Sequence, residues 1–521
     1  MNQEVKKING YNIKDETARN NIENLNLNKI KTFDNIQSMK NDTTLLEGMH
    51  VKTKGYYEIN DGGGAEYLIR EPLSQESANG MNKVLLDNDL IAEYINEKEL
   101  TPQQFGAKCD SNEDDSEILE YCINYCSINK LSIKLSGQYY IKNPISITEN
   151  RTCVIYGSSA NVNNLIDDNV TEFANLIFNN DGYIETNGKT NITFQNIGFN
   201  GTNKALIFRS YRNKVLNCGF NSFDTAISVE SGTNWNGENQ ICNCTFNSVT
   251  HCIVLNAGSD GDITGNLADG VCGTFITGGH DSGYKIENNH DYSDYGSSLA
   301  GYNLTFVGNY IDGWNKLVIT GNGGFNITGN LFIGDTPESG NHYALKFTAS
   351  TVNNGTITGN CMAIANNSVV NEYLSFIDLT ENDYFTYVTI SGNNYRIAKS
   401  IFNGATTTKI NLTNIEGTSK ISCSMINNKA TLNTFYSSYK NGVSTCYSKF
   451  DLASITSSSI ARLEQIEDTW IHFIKMDNET EIFIDFGGRE LKAKGSWSNA
   501  TEMEVWSIGI KNFSQLPTLF N

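Results

Sequence analysis

Between residues 190 and 393 the apolar positions fall into short alternating runs, each closed by Gly or Asn. "FNIT" and "GTIT" are of this kind, rich in β-branched residues and too short for helical spacing to develop. Alternation bounded by turn residues predicts strands. The runs also copy one another: "NITGNLFIGD" at 326–335, "DITGNLADG" at 262–270 and "TITGNCMAI" at 356–364 share one core. The Asn that closes each run gives the series Asn196, Asn217, Asn243, Asn266, Asn289, Asn309, Asn330, Asn360 and Asn393. Its steps are 21, 26, 23, 23, 20, 21, 30 and 33 residues.

A repeat in the low twenties built from short strands predicts a solenoid. A leucine-rich repeat would need a Leu/Asn consensus and a helical segment, and neither is present. The expectation is therefore an all-β chain whose centre is a parallel β-helix, right-handed by the usual crossover chirality. Asn and Gly tolerate the left-handed backbone of a sharp corner, so "ITGN" recurs because each coil turns at the same place. Asn side chains at one register predict an amide ladder. Phe199, Phe220, Phe246 and Tyr292, each three residues after a marker Asn, predict an aromatic stack.

The flanks break this pattern. In "FGAKCDSNEDDSEILEYCI" Asp114 or Asp115 is placed to cap a helix, and Ile118, Leu119, Cys122 and Cys126 form its apolar stripe. The strand "LSIKL" follows. Upstream, "YYEI" and "AEYLI" read as strands around an Asn-Asp-Gly-Gly turn. Downstream, "TWIHFIKM", "TEIFIDFGG" and "EMEVWSIGI" predict an antiparallel, β-sandwich-like terminal domain. The domains expected are 1–30, 31–99, 100–430 (capping helix and β-helix) and 431–521.

Phe105-Gly106-Ala107, Asp110, Asp114, Asp115, a capping helix and then Gly137 and Tyr139 resemble the opening of the pectate-lyase-like β-helix family found in phage tailspikes. Ser136 stands where that family commonly has Pro. "INGYNIKDETARNNIENLN" at 8–26 looks like a virion-attachment segment of phage tail proteins. Ile13, Ile22, Leu25 and Ile30 leave an imperfect apolar stripe there. The resemblance implies a tail spike or receptor-binding appendage on a virion, synthesised in the host cytoplasm. It implies docking through the N-terminus to phage tail or collar proteins, a homotrimer, and host cell-surface glycan as ligand.

Composition narrows the partners. The net charge of −20 makes nucleic acid an unexpected one. A run of about 18 apolar residues, the length of a membrane span, is absent, and "MNQEVKKING" has no apolar signal region. The 12 Cys lack paired C-x-x-C spacing and read as small buried residues. No cofactor or metal is expected.

Glycan hydrolysis needs two carboxylates, one protonated and one not. Asp269 and Asp312 each lie three residues after a marker Asn, and Asp294 and Asp335 each lie five after one. Each pair is two coils apart, about 10 Å. Asp291 falls between them. These five acids are the catalytic candidates, with Trp314, Tyr310, Tyr295 and His290 as substrate-binding candidates and His280 nearby. Asp269-Gly270 and Asp312-Gly313 are also ordinary turn dipeptides. A lyase would need a basic residue, for which Arg209 and Arg212 are available several coils away. Three functions fit: a virion polysaccharide depolymerase, hydrolase before lyase; a non-enzymatic adhesin of the same fold; or a bacterial polysaccharide lyase or hydrolase.

Overall fold

The computed structural model describes residues 30–403 except 96–97, 148–150, 158–175, 189, 233–235, 280–281, 365–370, 383 and 396; outside that span it describes only single strands. Ile13, Ile22 and Leu25 lie outside the described residues, as do His280 and the side chains of Trp470, Trp497 and Trp506. Among the described residues no helix is long and apolar enough to cross a membrane.

The chain first builds a small sheet from Lys31–Phe33, His50–Thr53, Glu66–Arg70, Ile91–Tyr94 and Lys83–Leu85, in that spatial order. Buried and less buried positions alternate along Glu66–Arg70, as a one-sided sheet requires. "YYEI" is not a strand. The Asp61 carboxylate accepts the backbone N–H groups of Tyr56, Tyr57 and Glu58, which winds the segment into a turn. Four local hydrogen bonds from one side chain, the last from Gly63, override the aromatic strand propensity.

Phe105 joins this unit to the shaft. Its ring meets Tyr94 at 5.2 Å, Tyr125 at 5.2 Å and Tyr121 at 5.9 Å. Tyr121 and Tyr125 belong to the helix Ser116–Asn129, which buries Leu119, Cys122, Ile123 and Cys126. The two candidate caps divide the work. Asp114 Oδ1 accepts the Ser116 N–H at 3.1 Å, while Asp115 turns back to accept the Lys108 N–H at 2.8 Å. Tyr139 is fully buried beneath this junction and donates its hydroxyl to Gln103 at 2.7 Å.

Beyond the helix the strands form three long sheets of 15, 11 and 11 strands. From Glu99 to Asn403 neighbouring strands within each are parallel, as in Asn326–Thr328 on Thr305–Val307. One coil contributes a strand to each sheet in turn. Lys285–Glu287 lies on face one, His290–Asp291 on face two and Gly296–Leu299 on face three. The chain is thus a parallel β-helix. Apolar side chains from all three faces fill its interior, among them Ile286, Ile311, Leu317 and Phe332, each at most 1% exposed.

The corner between faces one and two explains the repeat. Asn266, Asn289, Asn309, Asn330 and Asn360 are buried, and each donates its side-chain amide to the Asn Oδ1 of the next coil at 2.9–3.0 Å, ending on Asn393. The series read from sequence, however, mixes two registers. Leu216 pairs with Cys242 and Cys242 with Thr264, so Asn196, Asn217 and Asn243 align with Gly265, not with Asn266. These three Asn hold the left-handed corner itself, with φ of 53–55°. Gly265, Gly308, Gly329, Gly359 and Gly392 take that place later, with φ of 63–69°. The ladder position one residue on is Cys218 and Cys244 before it becomes Asn266. A one-residue shift moves every side chain to the other side of a strand, so the shift decides what lies inside.

Phe199, Phe220 and Phe246 do stack inside, with centroids 4.6 and 5.3 Å apart. The file then continues through Ala268 and Asp291 to Ile311. Tyr292, expected in the stack, points outward instead and is 36% exposed. Near its end the shaft changes to antiparallel pairing, with Ser422–Ile426 against Lys409–Leu412. The terminal strands Thr445–Asp451, Glu502–Gly509, Trp470–Met476, Glu481–Asp485 and Leu491–Lys494 make one five-stranded antiparallel sheet. These strands coincide with the aromatic runs read from sequence. Among the described residues they form a single layer, where a sandwich has two.

Candidate functional site

Face two carries the candidate site on its outer surface. Strand pairing puts Asn200, Asn221 and Asn247 in one outward file, and the same pairing continues it through Asp269, Tyr292 and Asp312 to Ile333. Asp269 and Asp312 therefore share a file, two coils or about 10 Å apart along the shaft, with Tyr292 on the coil between them. The adjacent outward file holds Leu267, His290, Tyr310 and Leu331.

The two files meet through their rings. His290 lies 4.0 Å from Tyr292 and 4.1 Å from Tyr310, centroid to centroid. Packing between two tyrosines lowers the proton affinity of His290, since burial disfavours the imidazolium; the charge of Asp312 acts the other way. His290 Nε2 is closed off from solvent and has no hydrogen-bond partner. Asp269 folds onto its own turn, accepting the Gly270 N–H at 2.6 Å, so its turn role and its place on the file coexist.

The other candidates sit on the loops that lead from face two to face three. Tyr295 is the most exposed at 74%; Asp294 beside it is exposed, and so is Asp335 on the corresponding loop two coils later. Trp314 is half-buried. Its Nε1–H donates to the Asp335 carbonyl at 2.7 Å, and its ring covers Gly334 so closely that a Cβ there would come within 2.7 Å. Much of this indole is committed to joining two coils.

Asp291 is the correction. It was expected on the surface with the other acids, yet it points into the shaft and is 4% exposed. The register shift accounts for this: counted from the left-handed corner at Asn288, Asp291 occupies the place that Phe246 holds two coils earlier. Burial pushes its carboxyl up to about 6, against the opposing pull of Ser293 and Lys316. Tyr292, which takes the outward place, was missed as a binding candidate for the same reason. The signal that would have found it is the switch from Gly265 to Asn288 at the corner.

That buried acid has a pH signature. Its folded value near 6 exceeds the unfolded 3.8, so the folded state binds the proton more tightly. The cost of the charged form is full above about pH 6 and disappears as pH falls toward 4, a span worth about 3 kcal/mol. Lys316 and the Cys252 thiol are the charged or titratable groups felt across the interior, with His290 on the outer side of the same strand. Asp291→Asn is expected to melt higher than wild type at pH 8. That advantage should shrink to nothing near pH 4 in paired thermal melts. A constant difference across that range would contradict the assignment.

Among the described residues no three metal-donor side chains gather into a site. Arg209 is held by Glu185 at 3.2 Å and Glu230 at 2.6 Å, and Arg212 pairs with Glu238.

No protein family matches the chain, and no curated protein is significantly related to it. Solved structures do align with it. The Acinetobacter phage vB_ApiP_P1 tailspike protein is 14% identical, with 92% of this chain and 99% of that one covered and a TM-score of 0.41. The tailspike of Acinetobacter baumannii bacteriophage Fri1, a capsular polysaccharide depolymerase, is 12% identical over 92% and 98% of the two chains, with a TM-score of 0.39. Pantoea stewartii WceF, a glycan biofilm modifying enzyme with a tailspike-like parallel β-helix, is 10% identical over 92% and 70%, with a TM-score of 0.37. All three scores fall below 0.5, and no residue role is carried over from these proteins.

Proposed function

We propose that this chain is a virion tail spike that binds host cell-surface polysaccharide along face two and hydrolyses it. The observation that carries the reading is the outward strip in which Asp269, Tyr292 and Asp312 share one file beside His290 and Tyr310. Aromatic rings offer stacking surfaces to sugars, and two carboxylate-bearing positions two strand spacings apart, about 10 Å, lie close to the upper end of the carboxyl separation used by inverting glycosidases. Hydrolysis is favoured over elimination because both arginines that would serve a lyase are engaged by glutamates. The N-terminal segment attaches the spike to phage tail or collar proteins, and three chains assemble around one axis.

The test is incubation of the purified full chain with purified surface polysaccharide of the host. Size-exclusion chromatography should show fragments accumulating with time. Binding without fragments would leave the second reading, an adhesin of the same architecture, and neither binding nor fragments would end both. Light scattering on the same sample should give about three times the 57.7 kDa chain mass, and a particle of one chain mass would contradict the trimer.

A further inference from the structure

The interior file of face two is apolar at every coil from Leu176 through Phe199, Phe220, Phe246 and Ala268, and again at Ile311, Phe332 and Met362. Asp291 alone interrupts it. A carboxylate among such neighbours costs stability, and something must be gained where it sits. Its partners show what. Asp291 Oδ1 accepts both the N–H of Ser293, at 3.0 Å, and the Ser293 hydroxyl. The Ser297 hydroxyl donates to Oδ2 at 3.4 Å. Ser293 Oγ in turn accepts the N–H of Gly296 at 3.1 Å. Ser293 and Ser297 are themselves buried.

We infer that Asp291 is a positioning residue that fastens the loop 292–296 from inside the shaft and thereby fixes the outer strip above it. This rests on the glycan-site reading for its consequence, though not for the fastening itself. The loop is tied at both ends. Tyr292, Asp294 and Tyr295 donate backbone N–H groups to Ala268, Cys272 and Gly273 of the preceding coil at 2.8–3.0 Å, and Ser297 donates to Lys316 of the following coil. Between these ties the chain must turn sharply: Gly296 has φ of 66°, and a Cβ there would fall 2.1 Å from the Lys316 carbonyl oxygen. The anionic acceptor gathers the two inward-turned serines of that turn. Tyr292, Asp294 and Tyr295 are consequently presented outward.

Hydrogen exchange resolved to residues 292–297, together with glycan binding, tests the inference on the full-length chain. Asp291→Ala should raise exchange at Ser293 and Gly296 at least 10-fold, while the amides of Thr305–Val307 on face one keep their protection. Its glycan dissociation constant should rise about 10-fold or more. Asp291→Asn retains an oxygen acceptor in the same place and should restore most of both. Wild-type exchange at Ser293 and Gly296 in Asp291→Ala would overturn the fastening, as would equal losses in the Asn variant. Uniform loss of protection across the shaft in both variants would make Asp291 merely structural and also overturn it. If wild type binds no host glycan, the glycan reading fails, while the exchange data still decide the fastening.

Discussion

Asp312→Asn is expected to lower glycan cleavage by about 10²–10⁴-fold, the usual worth of a positioned acid or base, and Asp269→Asn to do the same. In an inverting pair one group delivers a proton to the departing oxygen while the other activates water on the opposite side of the ring. Removing either stops one half of a single concerted step, so the two losses should be alike and the double variant little worse than either alone. Asn matches Asp in shape, and both positions are only half-buried on an outer file. Stability should therefore change by no more than about 0.5 kcal/mol, and melting curves should overlay wild type. The released reducing end should carry the inverted anomeric configuration, read by NMR at early times. Wild-type cleavage by either variant, or retained configuration, would remove these two residues from the chemistry.

Asn309→Ala is expected to cost the shaft about 4 kcal/mol, from several buried polar groups left without partners at about 1–3 kcal/mol each. The Asn309 side chain makes four hydrogen bonds. Oδ1 accepts the backbone N–H and the amide of Asn289 at 3.0 and 2.9 Å, and Nδ2 donates to the Ile286 carbonyl and to Asn330 at 2.9 and 3.0 Å. Truncation strands the Asn289 N–H, part of its amide and the Ile286 carbonyl in an interior closed to water, since Asn309 is 2% exposed. Asn326→Ala, on the exposed side of face one, should change stability by less than about 0.5 kcal/mol. Denaturation of the two variants side by side separates the ladder from asparagine content in general. Equal midpoints would mean that the ladder does not support the shaft.

Both arguments trace back to features readable in the chain. The period in the low twenties and the closing Asn announced the β-helix because every coil repeats one corner, and a corner limits the residues it accepts. Asp269 and Asp312 fell on one file because both were counted from ladder asparagines of the same register. Tyr292 was assigned to the inner stack because the early markers Asn196, Asn217 and Asn243 are corner residues, one position short of the ladder; Asp291, which no register count had placed, takes that inner position. Gly and Asn both satisfy a left-handed φ, so the letters alone do not say which of two adjacent Asn is the corner and which the ladder. "YYEI" was misread for a different reason: strand propensity is visible in sequence, whereas the Asp61 carboxylate collecting backbone N–H groups is a local competition that pattern does not register. Trp314 looked like a free stacking platform, and its commitment to Gly334 and Asp335 arises from the next coil, 20 and 21 residues on.

The most direct test of the account is a structure of the full chain bound to an oligosaccharide cut from the host surface glycan. The account predicts sugar rings on the outer surface of face two, one of them over Tyr292 between Asp269 and Asp312, with His290 and Tyr310 alongside. Sugar on face one, on face three or on the terminal antiparallel sheet, with the Asp269–Asp312 strip empty, would contradict it.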